Sequence, residues 1–379
     1  FIDPDTGSLT LDNFIEVFTR NYYLNGLKNT LFVGALGTLG ACLIGIPLAF
    51  FTTRFLITGK TLISTLAILV LVSPPFISAY AWIMMMGSNG VITNFFGGIG
   101  INIPTIYGAH GIILVFSLKF FPFIFLMTQT ALTAVNKSFE DAAENLGCSP
   151  WQRFVKVTLP LVFPAVSTGA IICFVLSIAD FGTPAILGRG FRTLSTIALS
   201  AYRSELGGPP TMAVTVSILM MAISMIALVA QRRILANRRY ASSLTNLPVA
   251  VKLSGWKNAA VHFFSHGIVF LAMLPSAVVV YTSFLKTKGP VFVGGFGLES
   301  YDRIWRDAPD AIYNSFLFAI IAVTFITITS GLISYVIVRR DTKAAAAIDF
   351  LMMVPYLVPG VVMAIGFVTV FRNGMPNFF

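Results

Sequence analysis

Residues 141–160 read DAAENLGCSPWQRFVKVTLP, a polar stretch set between long apolar runs. Just before it, Ser138-Phe139-Glu140-Asp141 has the form of a capping box, with Ser at the N-cap and an acid three residues on. Asp141 also favours the positive end of a helix dipole. Ala142 to Leu146 carry about two turns, and Gly147 suits the left-handed C′ position that ends a helix. Ser149-Pro150-Trp151-Gln152 then starts a second helix, with Pro at its first position. Phe139, Ala143 and Leu146 share one face by their spacing. An amphipathic helix lying on a membrane would be longer and richer in basic residues, so this pattern predicts a short helix-turn-helix that presents a face to something else.

The surroundings of this hairpin are lipid-like. The chain of 379 residues is 56% hydrophobic and 11% charged, against about 25% charged in soluble domains. Runs 29–53, 61–86, 211–230, 267–285, 311–338 and 350–371 hold no charge. Two more, 105–135 and 157–188, hold one charged residue each, Lys119 and Asp180. Each run is long enough to flag a membrane helix, so the sequence predicts an all-α polytopic membrane protein with eight spans. A soluble α/β fold is excluded. Three Cys are too few for a disulfide framework.

Alternating the loops about these spans puts 54–60, 136–156, 231–266 and 339–349 on one side with 14 Lys and Arg, against 9 on the other. The basic side is the cytoplasmic one. The net charge of +10 needs no partner beyond anionic lipid, and no basic face carries the interleaved aromatics of a nucleic-acid binder.

The chain repeats. A shift of 285 residues lays Asn29 on Asn314, Arg54 on Arg339, Pro74 on Pro359 and Ala79 on Ala364. With a small adjustment, NGVITNFF (89–96) faces NGMPNFF (373–379). Both copies enter the membrane in the same direction, which makes a parallel repeat about an axis along the membrane normal. The expected halves are 1–247 and 258–379. By the same logic the sequence is expected to be a truncated one. A span is expected before residue 1 and a second hairpin after residue 379.

At this point the hairpin resembles a known family. Permease subunits of bacterial binding-protein-dependent ABC importers carry Glu-Ala-Ala, three residues, Gly, nine residues, Ile-x-Leu-Pro. Here the match is Asp141-Ala142-Ala143, three residues, Gly147, nine residues, Val157-Thr158-Leu159-Pro160. The departures are Asp for Glu and Val for Ile. The tandem layout and SIADFGTPAILG (177–188) are similar to the fused two-half permeases of the ferric-iron type. The resemblance implies the type I importer fold in the bacterial inner membrane. It further implies that the hairpin, 138–160, is a coupling helix docked on a dimer of separate ABC ATPase subunits. Asp141, Ala142, Ala143, Leu146, Gly147, Leu159 and Pro160 would carry the coupling. The chain would then not be an enzyme, and it would hold no cofactor, because ATP and Mg bind the ATPase. A periplasmic substrate-binding protein would deliver the cargo. Ferric iron is the first expectation; phosphonate, sugar phosphate, polyamine and thiamine are the alternatives. A secondary transporter with parallel repeats is the competing class. It would show more buried ionisable groups and leaves the hairpin unexplained.

Four further positions are candidates for the translocation path. Lys119 and Asp180 are charges at membrane depth, which are functional candidates by default. Lys119 could instead snorkel, and Asp180 could instead cap the helix after it. Pro74 and Pro359 break spans at matching places, where irregular backbone lines cavities. Two motifs fail. ITGKT (57–61) lacks the Gly of a phosphate loop, having Arg54 in its place, and His262 and His266 have zincin spacing without the Glu base, since Phe263 stands there. No metal site is expected.

Overall fold

The computed structural model describes residues 10–204, 211–236, 249–288, 291–340 and 342–371. In chain order the helices are α1 (Asp12–Thr19), α2 (Asn21–Arg54), α3 (Lys60–Val72), α4 (Pro75–Met86), α5 (Val91–Gly98), α6 (Ala109–Ala134), α7 (Lys137–Asn145) and α8 (Pro150–Arg153). They continue as α9 (Leu159–Ala179), α10 (Gly182–Leu187), α11 (Leu194–Ser204), α12 (Thr211–Ala236), α13 (Gly255–Ser283), α14 (Glu299–Asp307), α15 (Pro309–Arg339), α16 (Lys343–Leu357) and α17 (Gly360–Phe371). A π-helical turn, Phe154–Thr158, joins α8 to α9. An antiparallel pair, β1 (Leu285–Lys288) and β2 (Val291–Phe296), stands between α13 and α14; the sequence reading did not anticipate it.

Six helices among the described residues are long and apolar enough to cross a bilayer: Asn21–Arg54, Ala109–Ala134, Pro150–Ala179, Thr211–Arg233, Gly255–Ser283 and Pro309–Arg339. Two of the eight expected spans are not single helices, and each divides where a break is expected, at Pro74 and at Pro359. Run 61–86 is two helices, α3 and α4, and run 350–371 is parts of α16 and α17. The cause is local. Ser73 and Pro74 are extended, with ψ of 124° and 139°, as residues ahead of a proline tend to be. Pro74 and Pro75 also lack the amide hydrogens that would continue α3. The bent pair Lys60–Val72 and Phe76–Gly98 turns through 105° and counts as a seventh crossing if taken as one.

The chain divides into two compact units, 1–276 with 358–379, and 277–357. In the second, Lys286 pairs with Glu299, and the hydroxyls of Ser283 and Tyr301 meet at 2.7 Å. In the first, α2 packs along α6 and α9. Lipid tails are as apolar as Leu, so burial alone does not hold helices together in a bilayer. Close backbone approach does. A β-carbon on Gly45 would lie 2.9 Å from the Phe121 carbonyl oxygen and 3.0 Å from the Phe125 nitrogen. One on Gly169 of α9 would lie 2.9 Å from Ile124 Cα. Phe116, Phe121 and Phe125 fill the space beside these contacts and are fully buried. A second cluster joins Val17, Ile178, Leu194, Ile197, Val216, Met220 and Ile365, which brings α1, α9, α11, α12 and α17 together.

Loops gather at the two ends of this bundle as the alternation requires. At one end the Gly108 amide donates to the Leu187 carbonyl at 2.8 Å, and the Asn29 side-chain amide donates to the Arg192 carbonyl at 2.9 Å. At the other, the Leu56 amide donates to the Val251 carbonyl and the Val251 amide to the Arg54 carbonyl. There the Thr58 amide donates to His262 Nε2 at 3.2 Å. The two rejected motifs thus meet each other: His262, on α13, holds the turn at Gly59 that starts α3.

Adding 285 to the ends of α4 gives the ends of α17, and adding it to Arg54, the last residue of α2, gives Arg339, the last of α15. The expected half boundary at residue 247 and the NGMPNFF stretch lie outside the described residues.

The α2–α6 contact makes a testable prediction. Gly45→Val forces its side chain onto backbone atoms that cannot move independently and costs about 1–3 kcal/mol of overpacking. The thermal midpoint of the purified protein should fall. Gly97→Ala, in α5 with nothing within 4 Å, should leave it unchanged; equal midpoints for both variants would contradict the packing argument.

Candidate functional site

The hairpin forms as two capped helices. Asn136, not Ser138, is the N-cap of α7. Its side chain accepts from the Ser138 amide at 2.9 Å, and the helix begins at Lys137. Asn caps as well as Ser does, and the extended Asn136 is the first residue past α6 able to do so. Glu140 turns away from the helix start, and its Oε1 accepts from Arg54 Nη2 at 2.6 Å and from the Thr158 hydroxyl at 2.8 Å. The stop is as expected. Gly147 has φ of +81°, the Cys148 amide donates to the Ala143 carbonyl, and the Gly147 amide donates to the Glu144 carbonyl. That pair of bonds is a Schellman motif. Ser149 and Gln152 close a full capping box on α8, with Pro150 at its first position. Arg153 pairs with Glu144 across the turn, and Phe154 packs edge-on against Phe50 of α2 with ring centres 4.8 Å apart.

One expected docking residue is buried. Ala143 is 7% exposed, so it does not share an open face with Phe139 and Leu146. The open apolar surface is Leu146, 85% exposed, Trp151, 71%, and Phe139, 50%. Trp151 is the residue the sequence reading missed, because facing across the turn cannot be read from periodicity within one helix. Ala142 and Gly147 are exposed, Asp141 is half-buried, and Leu159 and Pro160 are half-buried at the start of α9.

The second cluster lies at membrane depth. Lys119 of α6 donates to Asp180 Oδ2 at 2.6 Å, with side chains only 11% and 3% exposed. Both alternatives for these residues are resolved by geometry. Lys119 does not snorkel, and Asp180 both pairs and caps, since its Oδ1 accepts from the Thr183 amide at 2.9 Å at the start of α10. The Ser195 hydroxyl donates to the Asp180 carbonyl at 3.0 Å and holds the break between α9 and α10. Beside the pair is a cavity of about 440 Å³ lined by Leu71, Ser73, Phe76, Phe120, Phe181 and Gly360, among others. Pro74 is exposed and Pro359 buried. Neither lines the cavity, but Ser73 and Phe76 flank the first break and Gly360 follows the second. Both span breaks and the ion pair therefore border one space.

Residues 42–240 match the family described as binding-protein-dependent transport system inner membrane component, more than half of the chain. The chain belongs to this family and is a multi-pass protein of the inner membrane. It is similar over 98% of its length to the putative ferric transport system permease protein FbpB 1 of Haemophilus influenzae, at 27% identity, covering 60% of that protein. Against the ferric transport system permease protein FbpB of Actinobacillus pleuropneumoniae the figures are 26%, 98% and 55%. The molybdenum transport system permease protein ModB of Escherichia coli K12 is 30% identical over 40% of this chain and 66% of its own. The chain thus spans a little over half the length of the two ferric relatives.

The ion pair makes a second prediction. Lys119→Met leaves Asp180 charged, buried and unpaired, which costs about 3–5 kcal/mol. Lys119→Met with Asp180→Asn removes both charges and keeps an acceptor for the Thr183 amide. Thermal midpoints in detergent should drop sharply for the single variant and recover most of the way in the double; a double variant no more stable than the single would show that the charges are not coupled.

Proposed function

We propose that this chain is the translocating permease of an ABC importer that moves ferric iron delivered by a periplasmic binding protein. Two tandem halves, 1–247 and 258–379, divide the path between them. Separate ATPase subunits bind ATP and Mg and dock on the hairpin 138–160; this chain hydrolyses nothing itself. The single observation that carries the reading is the hairpin. It is a rigid, twice-capped polar element at the basic end of an apolar bundle, and it leaves Leu146 and Trp151 uncovered. Apolar anchors held on a preformed turn bind a partner without the cost of ordering it. The ferric cargo is supported by the two ferric relatives that match nearly the whole chain. The cavity between the span breaks, neutralised by the Lys119–Asp180 pair, is the segment of the path this chain contributes.

The test uses the complete protein with its ATPase and binding protein in proteoliposomes. ATP hydrolysis should rise when the binding protein is loaded with ferric iron, and labelled iron should accumulate. Gly147→Val forces a β-branched residue into φ near +81°, a conformation that residue type resists. With nothing near its β-carbon, the effect is confined to the turn. Stimulated hydrolysis should fall about tenfold or more at normal permease abundance, within the usual span of site-to-site coupling. Iron uptake driven by an ion gradient without ATP would replace this reading with a secondary transporter. Stimulation by another loaded binding protein, with none by ferric iron, would keep the permease and overturn the cargo.

A further inference from the structure

We propose that Arg54, Glu140 and Thr158 form the latch that carries movement of the hairpin into the spans, with Arg54 as its positioning residue; the inference rests on the permease reading above. One carboxylate oxygen, Glu140 Oε1, joins three elements. It takes a hydrogen bond from Arg54, the last residue of α2, and another from Thr158, which ends the π-helical turn leading into α9. The Arg54 side chain is 9% exposed and that of Glu140 19%, and Thr158 is buried. A charge-assisted bond shielded from water is stronger and more directional than a neutral one. The hairpin's other ion pair, Glu144 with Arg153, joins its two arms to each other and leaves the Glu144 side chain 60% exposed. Such a pair adds little, and it cannot transmit anything to a span.

The π-helical turn agrees with this assignment. It holds one residue more than an α-helical turn. Without that residue, everything before it would be rotated by about 100° relative to α9, and Thr158 would no longer stand in register with Glu140. The guanidinium group also has donors to spare. Arg54 Nε and Nη1 are buried and make no hydrogen bond among the described residues. Glu140 can therefore pass from one donor to the next as the hairpin tilts, and the tie to α2 persists through the movement. Both residues line a groove of about 390 Å³ beneath the hairpin, bordered by Phe55, Lys137 and Val251. The repeat sets Arg339 at the matching end of α15, so an arginine occupies this position in both copies.

A charge-reversal cycle in the complete, ATPase-bearing complex tests the latch. Arg54→Glu should still copurify with the ATPase and keep its basal hydrolysis, while cargo moved per ATP falls about tenfold. Arg54→Glu with Glu140→Arg should restore at least about half of the wild-type ratio, because the swapped pair closes in the same place. Thr158→Val removes one hydrogen bond at nearly constant volume, and should lower cargo per ATP about two- to fivefold at normal abundance even if the reversed charge prevents folding. An unchanged ratio in Thr158→Val and Arg54→Glu overturns the latch alone. A double reversal that fails to improve on Arg54→Glu also overturns it. A wild-type complex that binds no ATPase overturns the permease reading and the latch with it.

Discussion

The backbone approach of α2 to α6 is the contact on which the rest of the bundle depends. Gly45 lets the two chains meet where a β-carbon would strike the Phe121 carbonyl, and Gly169 brings α9 to the same face of α6. In lipid this closeness replaces the hydrophobic effect as the reason to associate. It also sets what can touch at either end. Arg54 reaches Glu140 and Phe50 reaches Phe154 because α2 and α6 end side by side, with the hairpin following α6 directly.

At membrane depth a different constraint applies: every polar group must be satisfied within the protein. The break after α9 meets it at Asp180, although the Thr183 and Ser177 hydroxyls beside it are buried without a partner among the described residues. Asp180 offers one carboxylate oxygen to Lys119 and the other to the Thr183 amide in α10, while its carbonyl takes the Ser195 hydroxyl. The residue that ends one helix thus starts the next and cancels a buried charge. Breaks arranged in this way open a cavity without exposing bare backbone to lipid. Prolines do the same for α3 and α4 by removing donors rather than by satisfying them.

The hairpin follows the opposite logic. The backbone groups of its turn are closed off by a Schellman motif and a capping box, so the apolar Leu146 and Trp151 stand exposed on a turn that is already formed. The half-buried Glu140 carboxylate fastens this element to α2 and to the turn before α9, as the proposed coupling would need. A flexible loop of the same composition would absorb the movement of a partner.

The sequence by itself determined what depends on neighbours in the chain. Apolar runs marked the spans, Pro74 and Pro359 marked their breaks, and Gly147 with Ser149-Pro150 marked a turn between two short helices. These signals are local because a residue's backbone preference acts over a few positions. The cap at Asn136 was missed by two residues, since Asn and Ser cap equally well and only the exit of the chain from α6 chooses between them. Everything that depends on distant approach was decided by the tertiary structure. Lys119 meets Asp180 across 61 residues and Arg54 meets Glu140 across 86; in the sequence the first two were separate candidates and Glu140 was part of a capping box. Ala143 is hidden although its spacing sets it on one face with the exposed Phe139 and Leu146. Charges and small residues carry no record of their partners in their own neighbourhood, and the packing of whole helices assigns them.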